Sequence, residues 1–260
     1  MKFGETERDV ERRMAGDAPQ GATAALGRTL VKVLRRAGVY RAWNGYSWRN
    51  EPDAVFVWVP KCAGTSLWRT IVGCDRPFFR SPQDVQDLFP QRGTVTFGHQ
   101  SYTQLVDKGL VSRDFDQRAF KFAFVRNPFD RTVSLFHYLK TTRHLHENTS
   151  FRTFCYLIRD RAFRSVGLFN HLGLSQCSPQ SDWLVDSQGK LFVEFIGRFE
   201  TMQEDYERLM RRLGLPAASL THLNKTKRER YIDYYDDECR EIVATCYRDD
   251  LERFDYQFGS

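Results

Sequence analysis

The sequence predicts an α/β domain in which a central, mostly parallel sheet is flanked by helices. From Pro52 onward, short apolar runs alternate with patterns of helical period, which is typical of chains that form strands and helices in turn. In addition, 260 residues with 41% hydrophobic and 14% aromatic content can bury one large core. We therefore expect a single domain at residues 51–260, preceded by an extension at residues 1–50.

The N-terminal extension begins with polar and charged residues and then predicts a basic amphipathic helix at residues 22–38. Its apolar face carries Leu26, Leu30, Val33, Leu34 and Ala37. Arginines and a lysine line the opposite face. A helix of this kind either docks on its own domain or makes a peripheral contact with an anionic membrane, and the sequence leaves both readings open.

Four apolar runs predict the strands of the sheet, at residues 54–59, 94–97, 121–125 and 191–196. Later in the chain, Thr201 and Glu204 form the pattern of a capping box, which predicts a helix that ends at Gly214. A last helix is expected to begin in the acidic stretch 236–238. The order of these elements supports one continuous α/β domain.

The charge and the cysteines limit the classes of protein to which this sequence can belong. A net charge of +6 with a pI near 9.0 favours anionic ligands. No run of 18 apolar residues and no signal-peptide pattern occurs, so we expect no transmembrane segment and a cytoplasmic location. The six cysteines show neither C-x-x-C pairs nor zinc spacing, which indicates reduced, buried thiols.

The stretch VPKCAGTSLW, residues 59–68, connects the first predicted strand to a helix through small residues. Such a connection presents backbone N–H groups and a positive helix end to an anion. The hydroxyls of Thr65 and Ser66 add donors, and Lys61 adds a positive charge. Lys61 precedes Gly64, whereas in a Walker A loop the lysine follows the glycine. With no Walker B aspartate evident, we expect a phosphoanhydride bound without metal.

A second stretch, FVRNPFDRTVSLF at residues 124–136, also follows a predicted strand. Pro128 is placed to open a helix, and Ser134 comes about two turns into it. Arg126 can therefore form a forked contact with a phosphate to which Ser134 also donates. In the structural alternative, Arg126 pairs with Asp130 and Ser134 is only a packing residue.

Taken together, the two stretches resemble the two nucleotide-binding signatures of sulfotransferases that use 3′-phosphoadenosine 5′-phosphosulfate (PAPS). The resemblance is closest to the carbohydrate sulfotransferase group, of the heparan and chondroitin type, and to its soluble bacterial relatives. It implies a P-loop-like sulfotransferase fold, a 3′-phosphate held by Arg126 and Ser134, and 3′,5′-ADP as the product. It also implies a 5′-phosphosulfate site formed by Lys61, Cys62, Ala63, Gly64, Thr65 and Ser66. Golgi members carry a membrane anchor and lumenal disulfides, and this sequence departs from both.

The early position of Lys61 agrees with this chemistry. Sulfuryl transfer moves negative charge onto the leaving phosphate, and a lysine near the bridging oxygen stabilises that charge without magnesium. The acceptor hydroxyl must lose a proton, and His99, which follows the strand at 94–97, is the predicted general base. The alternative for His99 is a structural histidine. The H-x-H pair at His144 and His146 lacks further ligands, so we predict no metal.

Two further segments are predicted to border the ligands. Lys225, Thr226 and Lys227 lie in a basic segment that either closes over the nucleotide, as in sulfotransferases, or is a solvated charge run. Gln180, Asp182 and Trp183 combine hydrogen bonding with an aromatic face, which suits a sugar, although a turn anchored by a buried tryptophan is equally compatible.

We therefore expect an enzyme that moves a sulfuryl group from PAPS to a hydroxyl of a carbohydrate or glycosylated metabolite. The alternatives are a P-loop kinase-like enzyme, a nucleotide-binding protein without catalytic activity, and a nucleic-acid-binding protein. The last of these has support in the positive charge and the aromatic content, but the sequence contains no RNP, zinc-finger or helix-turn-helix signature. We therefore predict no nucleic-acid partner.

Overall fold

The computed structural model describes residues 51–72, 79, 81–163, 174–220 and 230–260. The predicted helix at residues 22–38 lies outside the described residues. The same holds for Cys74 and for the basic segment with Lys225, Thr226 and Lys227.

Four parallel strands form the sheet, in the order β2-β1-β3-β4. They are β1 (Ala54–Val57), β2 (Thr94–Thr96), β3 (Phe120–Val125) and β4 (Phe195–Arg198). The register places Val55 of β1 between Val95 of β2 and Lys121 of β3. The predicted α/β class with a parallel central sheet is confirmed.

The first three strands lie where the apolar runs predicted them, but the fourth is displaced. The prediction was 191–196, whereas β4 is Phe195–Arg198. Leu191 instead forms an isolated antiparallel bridge with Val185. Inside β4, position 197 is a glycine because a Cβ there would be 2.4 Å from the Phe124 ring of β3.

The helices of the described residues flank this sheet. They are α1 (Gly64–Val72), α2 (Pro82–Leu88), α3 (Tyr102–Asp107), α4 (Arg113–Arg118), α5 (Pro128–Thr141), α6 (Phe151–Arg159), α7 (Met202–Leu213), α8 (Asp237–Cys246) and α9 (Arg248–Arg253). Two short 3₁₀ turns lie at Ser181–Trp183 and Tyr231–Tyr234. A span of the bilayer would need a longer apolar helix than any of these.

The helix ends confirm some cap predictions and correct others. Gly214 ends α7 in the left-handed conformation, with φ of 67°. The capping box predicted at Thr201 is wrong, because the Thr201 hydroxyl donates to Asp205 Oδ2 at 2.8 Å and makes no cap bond. Asp236 caps α8 by accepting from the Cys239 N–H at 2.7 Å. The predicted last helix is two helices, since Tyr247 separates α8 from α9.

Both faces of the sheet are buried, which explains why β1 is a continuous apolar run in the sequence and why β3 is interrupted only by Lys121. One face packs against α2, α3 and α4 through Val55, Val57, Val95, Ala123, Val125, Val85, Leu105 and Phe115. The other packs against α1 and α7 through Ala54, Phe56, Trp58, Phe122, Phe124, Leu67, Trp68, Tyr206 and Leu209. A third apolar cluster joins α5, α6 and α8.

The strand order places a crevice at one edge of the sheet. After β1 the chain moves to one side to form β2, and then crosses to the other side to form β3. The connections that leave the carboxyl ends of β1 and β3 therefore diverge. Ligands of open α/β sheets bind in the crevice at such a switch point.

Candidate active site

The turn between β1 and α1 forms the first side of the candidate site. Lys61 and Ala63 have φ of 67° and 58°, a left-handed conformation that costs a non-glycine residue roughly 1 kcal/mol or more. Left-handed residues in a turn can direct backbone N–H groups into a concavity that suits an anion. The turn then enters α1 at Gly64, where the helix has unsatisfied N–H groups and a positive dipole end. This backbone favours a bound anion.

Gly64 is required at the start of α1 because it packs against the indole of Trp58. A Cβ on Gly64 would lie 1.9 Å from Trp58 Nε1, so no larger residue fits without displacing the ring. Trp58 is itself buried and stacks on Phe56 at a centroid distance of 5.7 Å. The Trp58 ring therefore lies between the start of α1 and Phe56 of β1. The next two residues, Thr65 and Ser66, lie in the first turn of α1 and are also buried.

The Lys61 side chain extends toward α5. Its Nζ lies 4.1 Å from the centroid of the Tyr138 ring, in a cation–π contact. Ser134 is one helical turn before Tyr138, on the same face of α5, and is half-buried. The structure thus brings the Lys61 side chain to the helix face that carries Ser134.

Arg126 follows β3 and is 7% exposed. Its Nε and Nη2 atoms lie 2.7 and 2.6 Å from Oδ2 of Asp130, and the guanidinium lies 3.9 Å from the centroid of the Phe199 ring. The sequence left open that Arg126 pairs with Asp130 for a structural reason, and this ion pair is present. A phosphate bound here would share the guanidinium with the Asp130 carboxylate.

Two arginines of the β3–α5 segment hold the main chain of the first turn. Arg126 Nη1 donates to the Lys61 carbonyl oxygen at 3.2 Å. Arg131 is fully buried, and its Nε donates to the Pro60 carbonyl oxygen at 3.1 Å. The two predicted anion-binding turns are therefore in direct contact at the carboxyl edge of the sheet. Sequence reasoning did not assign this role to Arg131.

Cys62 lies at the centre of the first turn, with its thiol in the interior. Burial raises the pKa of Cys62 to about 12, although nearby Arg131 and Arg126 favour the thiolate. The thiol is therefore protonated at neutral pH, and the thiolate that nucleophilic catalysis needs is absent.

His99 lies beyond the end of β2, at the same edge of the sheet. Its Nδ1 is 3.0 Å from the carbonyl oxygen of Trp58, and its ring meets the Trp58 and Trp183 rings edge-on at 5.6 and 6.2 Å. The half-buried imidazole is thus held by groups on two other segments. His99 was predicted to lie at the carboxyl end of the sheet, and it follows the carboxyl end of β2 there.

The three residues predicted to bind the acceptor occupy different environments. Gln180 is fully buried, and its amide is bonded to the main chain of Arg126, so it presents no group to an acceptor. Trp183 is 2% exposed and packs beside His99, as in the alternative of a turn anchored by a buried tryptophan. Asp182 is exposed. Of the three, Asp182 alone has its side chain at the surface.

In the ranges that the structure describes, no group of three His, Cys, Asp or Glu side chains is arranged to hold a metal ion. The strands β2 and β3 are followed by His99 and Arg126 rather than by an aspartate of the Walker B kind.

A solved structure, a second protein and a family model are similar to this chain. The crystal structure of a sulfotransferase from Alicyclobacillus acidocaldarius matches with a TM-score of 0.43 and 18% identity, over 78% of this chain and 94% of that chain. An uncharacterized protein of Archaeoglobus fulgidus is 29% identical over 111 residues, which span 42% of this chain and 80% of that protein. The model of the Sulfotransferase family matches residues 49–257. This match covers most of the sequence, including both turns predicted to bind anions and His99, and the chain therefore belongs to the sulfotransferase family.

Proposed function

We propose that this protein transfers the sulfuryl group of PAPS to a hydroxyl of a carbohydrate or a glycosylated metabolite. The observation that supports it most is the contact between the two anion-suited turns, where Arg126 Nη1 donates to the Lys61 carbonyl oxygen at 3.2 Å. PAPS carries a phosphosulfate at one end and a 3′-phosphate at the other. A ligand with two anionic ends fits two adjacent sites that each supply positive charge and N–H or O–H donors.

The residues of the first turn fit the phosphosulfate. The N–H groups at the start of α1 and the hydroxyls of Thr65 and Ser66 are hydrogen-bond donors, and Lys61 adds a positively charged ammonium group. When bound, PAPS supplies an activated sulfuryl group on a phosphate leaving group. Lys61 would move from the Tyr138 ring to the bridging oxygen and stabilise the charge that develops there.

The residues after β3 fit the 3′-phosphate. Arg126 is held in place by Asp130 and by the Phe199 ring, so little side-chain entropy is lost when it binds an anion. Ser134 lies on the face of α5 toward which Lys61 extends. We assign the 3′-phosphate to Arg126 and Ser134, and we assign Lys225, Thr226 and Lys227 to the closing segment over the nucleotide.

We assign the general base to His99. The carbonyl of Trp58 accepts from Nδ1, which leaves the lone pair of the neutral ring on Nε2, where a hydroxyl proton can be accepted. His99 lies at the carboxyl edge of the strand next to β1, and so on the same side of the sheet as the phosphosulfate turn. This position suits a base that acts on the acceptor.

The acceptor assignment draws on the loop that follows α5. This loop exposes Arg143, His146, Glu147, Asn148 and Ser150, and its one aliphatic residue, Leu145, is buried. Hydrogen-bonding side chains of this kind suit a polyhydroxylated acceptor better than a flat phenol. The net charge of +6 favours an acidic one. The described cysteines are free thiols, which supports action in a reducing compartment such as the cytoplasm.

The test is a transfer assay with sulfur-labelled PAPS and four competing acceptors: a simple phenol, a sterol, a neutral oligosaccharide and a uronic-acid oligosaccharide. We expect the highest kcat/KM for a saccharide or a glycosylated metabolite, with rates for the acidic one falling as salt rises. Activity should persist in EDTA, because the order of residues in the first turn serves a lysine rather than a magnesium ion.

The possible results separate the alternatives. A preference for the phenol or the sterol would contradict the carbohydrate assignment and leave sulfuryl transfer standing. Turnover of ATP that depends on magnesium would indicate a kinase-like enzyme. Binding of 3′,5′-ADP without transfer to any acceptor would indicate a nucleotide-binding protein.

A further inference from the structure

The side chain of Gln180 connects two turns that are far apart in the sequence. Its Oε1 accepts from the main-chain N–H of Arg126 at 2.9 Å, and its Nε2 donates to the Arg126 carbonyl oxygen at 2.8 Å. The same Oε1 accepts from the Cys62 thiol at 3.2 Å. One buried amide therefore binds both the residue that follows β3 and the centre of the turn that follows β1.

The position of this amide is set from a third part of the chain. Asp250 of α9 is fully buried, and its carboxylate accepts from the main-chain N–H groups of Gln180 and Ser181, each at 2.7 Å. Its Oδ2 also lies 3.4 Å from Gln180 Nε2. A buried carboxylate without hydrogen bonds would be strongly destabilising, so these contacts hold Gln180 firmly. The main chain at Gln180 is therefore held from α9, outside both turns.

We propose that Gln180 is a positioning residue that sets the spacing between the phosphosulfate site at the Lys61 turn and the 3′-phosphate site at Arg126. This inference rests on the proposed function. A nucleotide with both phosphates must engage both sites at once, so its affinity depends on their spacing. A nucleotide with one phosphate engages one site, and a small change of spacing leaves its affinity nearly intact.

The experiment measures the Kd of 3′,5′-ADP, 5′-AMP and 3′-AMP by calorimetry for the wild type and for Gln180→Met. Methionine has a similar volume but can neither accept from nor donate to the Arg126 main chain. We expect the Kd of 3′,5′-ADP to rise about tenfold or more, and the Kd of each monophosphate to rise less than about threefold.

A matched control is Gln176→Met. Gln176 is also buried, and its Oε1 has no hydrogen-bond partner among the described residues. The same substitution there should leave all three dissociation constants within about twofold of the wild type. A selective loss of 3′,5′-ADP affinity in Gln176→Met would overturn the assignment to Gln180.

Two other results would also overturn the proposal. Equal losses for all three nucleotides in Gln180→Met would show a general structural role. Unchanged nucleotide affinity with a raised KM for the acceptor would show an acceptor contact. Failure of the wild type to bind 3′,5′-ADP at all is a different result, because it contradicts the proposed function before any variant is compared.

A second variant covers the case in which Gln180→Met does not fold. Gln180→Asn keeps an amide in the interior but is one methylene shorter, so it cannot reach the Arg126 main chain in the same way. Thermal unfolding should show a folded protein, and the loss should again be larger for 3′,5′-ADP than for either monophosphate. Wild-type affinity for 3′,5′-ADP in this variant would contradict the positioning role.

Discussion

Nδ1 of His99 lies 3.0 Å from the main-chain oxygen of Trp58, and a carbonyl oxygen can only accept a proton in a hydrogen bond. The neutral imidazole therefore keeps its proton on Nδ1 and its lone pair on Nε2. The indole of the same Trp58 packs on Gly64 at the start of α1. One residue thus orients the proposed base and also supports the proposed phosphosulfate turn.

The first prediction concerns His99→Asn. The asparagine amide can still donate to the Trp58 carbonyl, but it provides no basic nitrogen at the position of Nε2. We expect turnover to fall about 100-fold or more, with the Kd of 3′,5′-ADP within about threefold of the wild type. Steady-state kinetics and calorimetry measure the two quantities. Full turnover in this variant would remove His99 from the role of base.

Arg126→Ala is the second prediction. Loss of the guanidinium should raise the Kd of 3′,5′-ADP far more than that of 5′-AMP, because only the former has the 3′-phosphate assigned to Arg126. A suitable control is Arg152→Ala, which removes an exposed arginine paired with Asp236 and Glu238. It should leave both constants unchanged. Equal losses for the two nucleotides in Arg126→Ala would contradict the 3′-phosphate assignment.

The third prediction tests the contact between Gly64 and Trp58. Gly64→Ala places a Cβ 1.9 Å from Trp58 Nε1, which must displace the indole or the turn. We expect a loss of about 1–3 kcal/mol in unfolding free energy, together with weaker binding of 3′,5′-ADP. Denaturant titration measures the first effect and calorimetry the second.

A glycine with open space around it serves as the control for this substitution. Gly109 has φ of +68°, and a Cβ added there would meet nothing within 4 Å. Gly109→Ala should therefore cost only backbone strain of roughly 1 kcal/mol and leave nucleotide binding intact. Adding Trp58→Phe to Gly64→Ala should recover part of the lost stability, since the smaller ring leaves room. A double variant less stable than Gly64→Ala alone would argue against the steric explanation.

The last prediction concerns stability at alkaline pH. Burial raises the pKa of Cys62 from an ordinary value of 9.0 to about 12, so the folded chain keeps this proton over a range in which the unfolded chain loses it. Above about pH 9 the unfolded state binds fewer protons, and the unfolding free energy falls as pH rises. The stability of the wild type relative to Cys62→Ala should therefore decrease by up to about 1.4 kcal/mol per pH unit between about pH 9 and 11. Denaturant titrations at pH 8 and 10.5 measure it, and a constant difference would contradict a buried thiol.

The sheet was predictable from the sequence where strands are buried on both faces. The run at β1 is continuously apolar and the run at β3 is interrupted only by Lys121, because helices cover both sides of the sheet. In β2, Val95 lies between two buried threonines, Thr94 and Thr96. The position of β4 was not predictable, since the most apolar residues nearby, at 191–193, pack at the side of the core outside any strand. The strand itself ends in Gly197 and Arg198. Gly197 packs against the Phe124 ring, and Arg198 donates to the main-chain oxygen of Phe254.

In the candidate site, the sequence pointed to residues that carry a local signal. Lys61, Gly64 and Arg126 could be recognised because each follows a buried strand at a spacing that suits an anion. Gln180 was predicted to bind the acceptor, and its hydrogen-bond partners explain why the sequence did not reveal its position in the interior. Its backbone is held by Asp250, far along the chain, and a polar residue in a polar stretch gives no sign that tertiary contacts will bury it.

The sheet order also has a consequence for synthesis of the chain. The strand β1 is made first, yet its two neighbours in the sheet are β2 and β3, and the arginines that hold its turn come after β3. Asp250, which anchors Gln180, emerges later than either turn. Contacts between distant segments form only after the loop entropy between them has been overcome. A nascent chain that has not yet reached Asp250 therefore lacks the complete proposed nucleotide site, and a bound nucleotide would stabilise the folded domain without assisting its earlier folding steps.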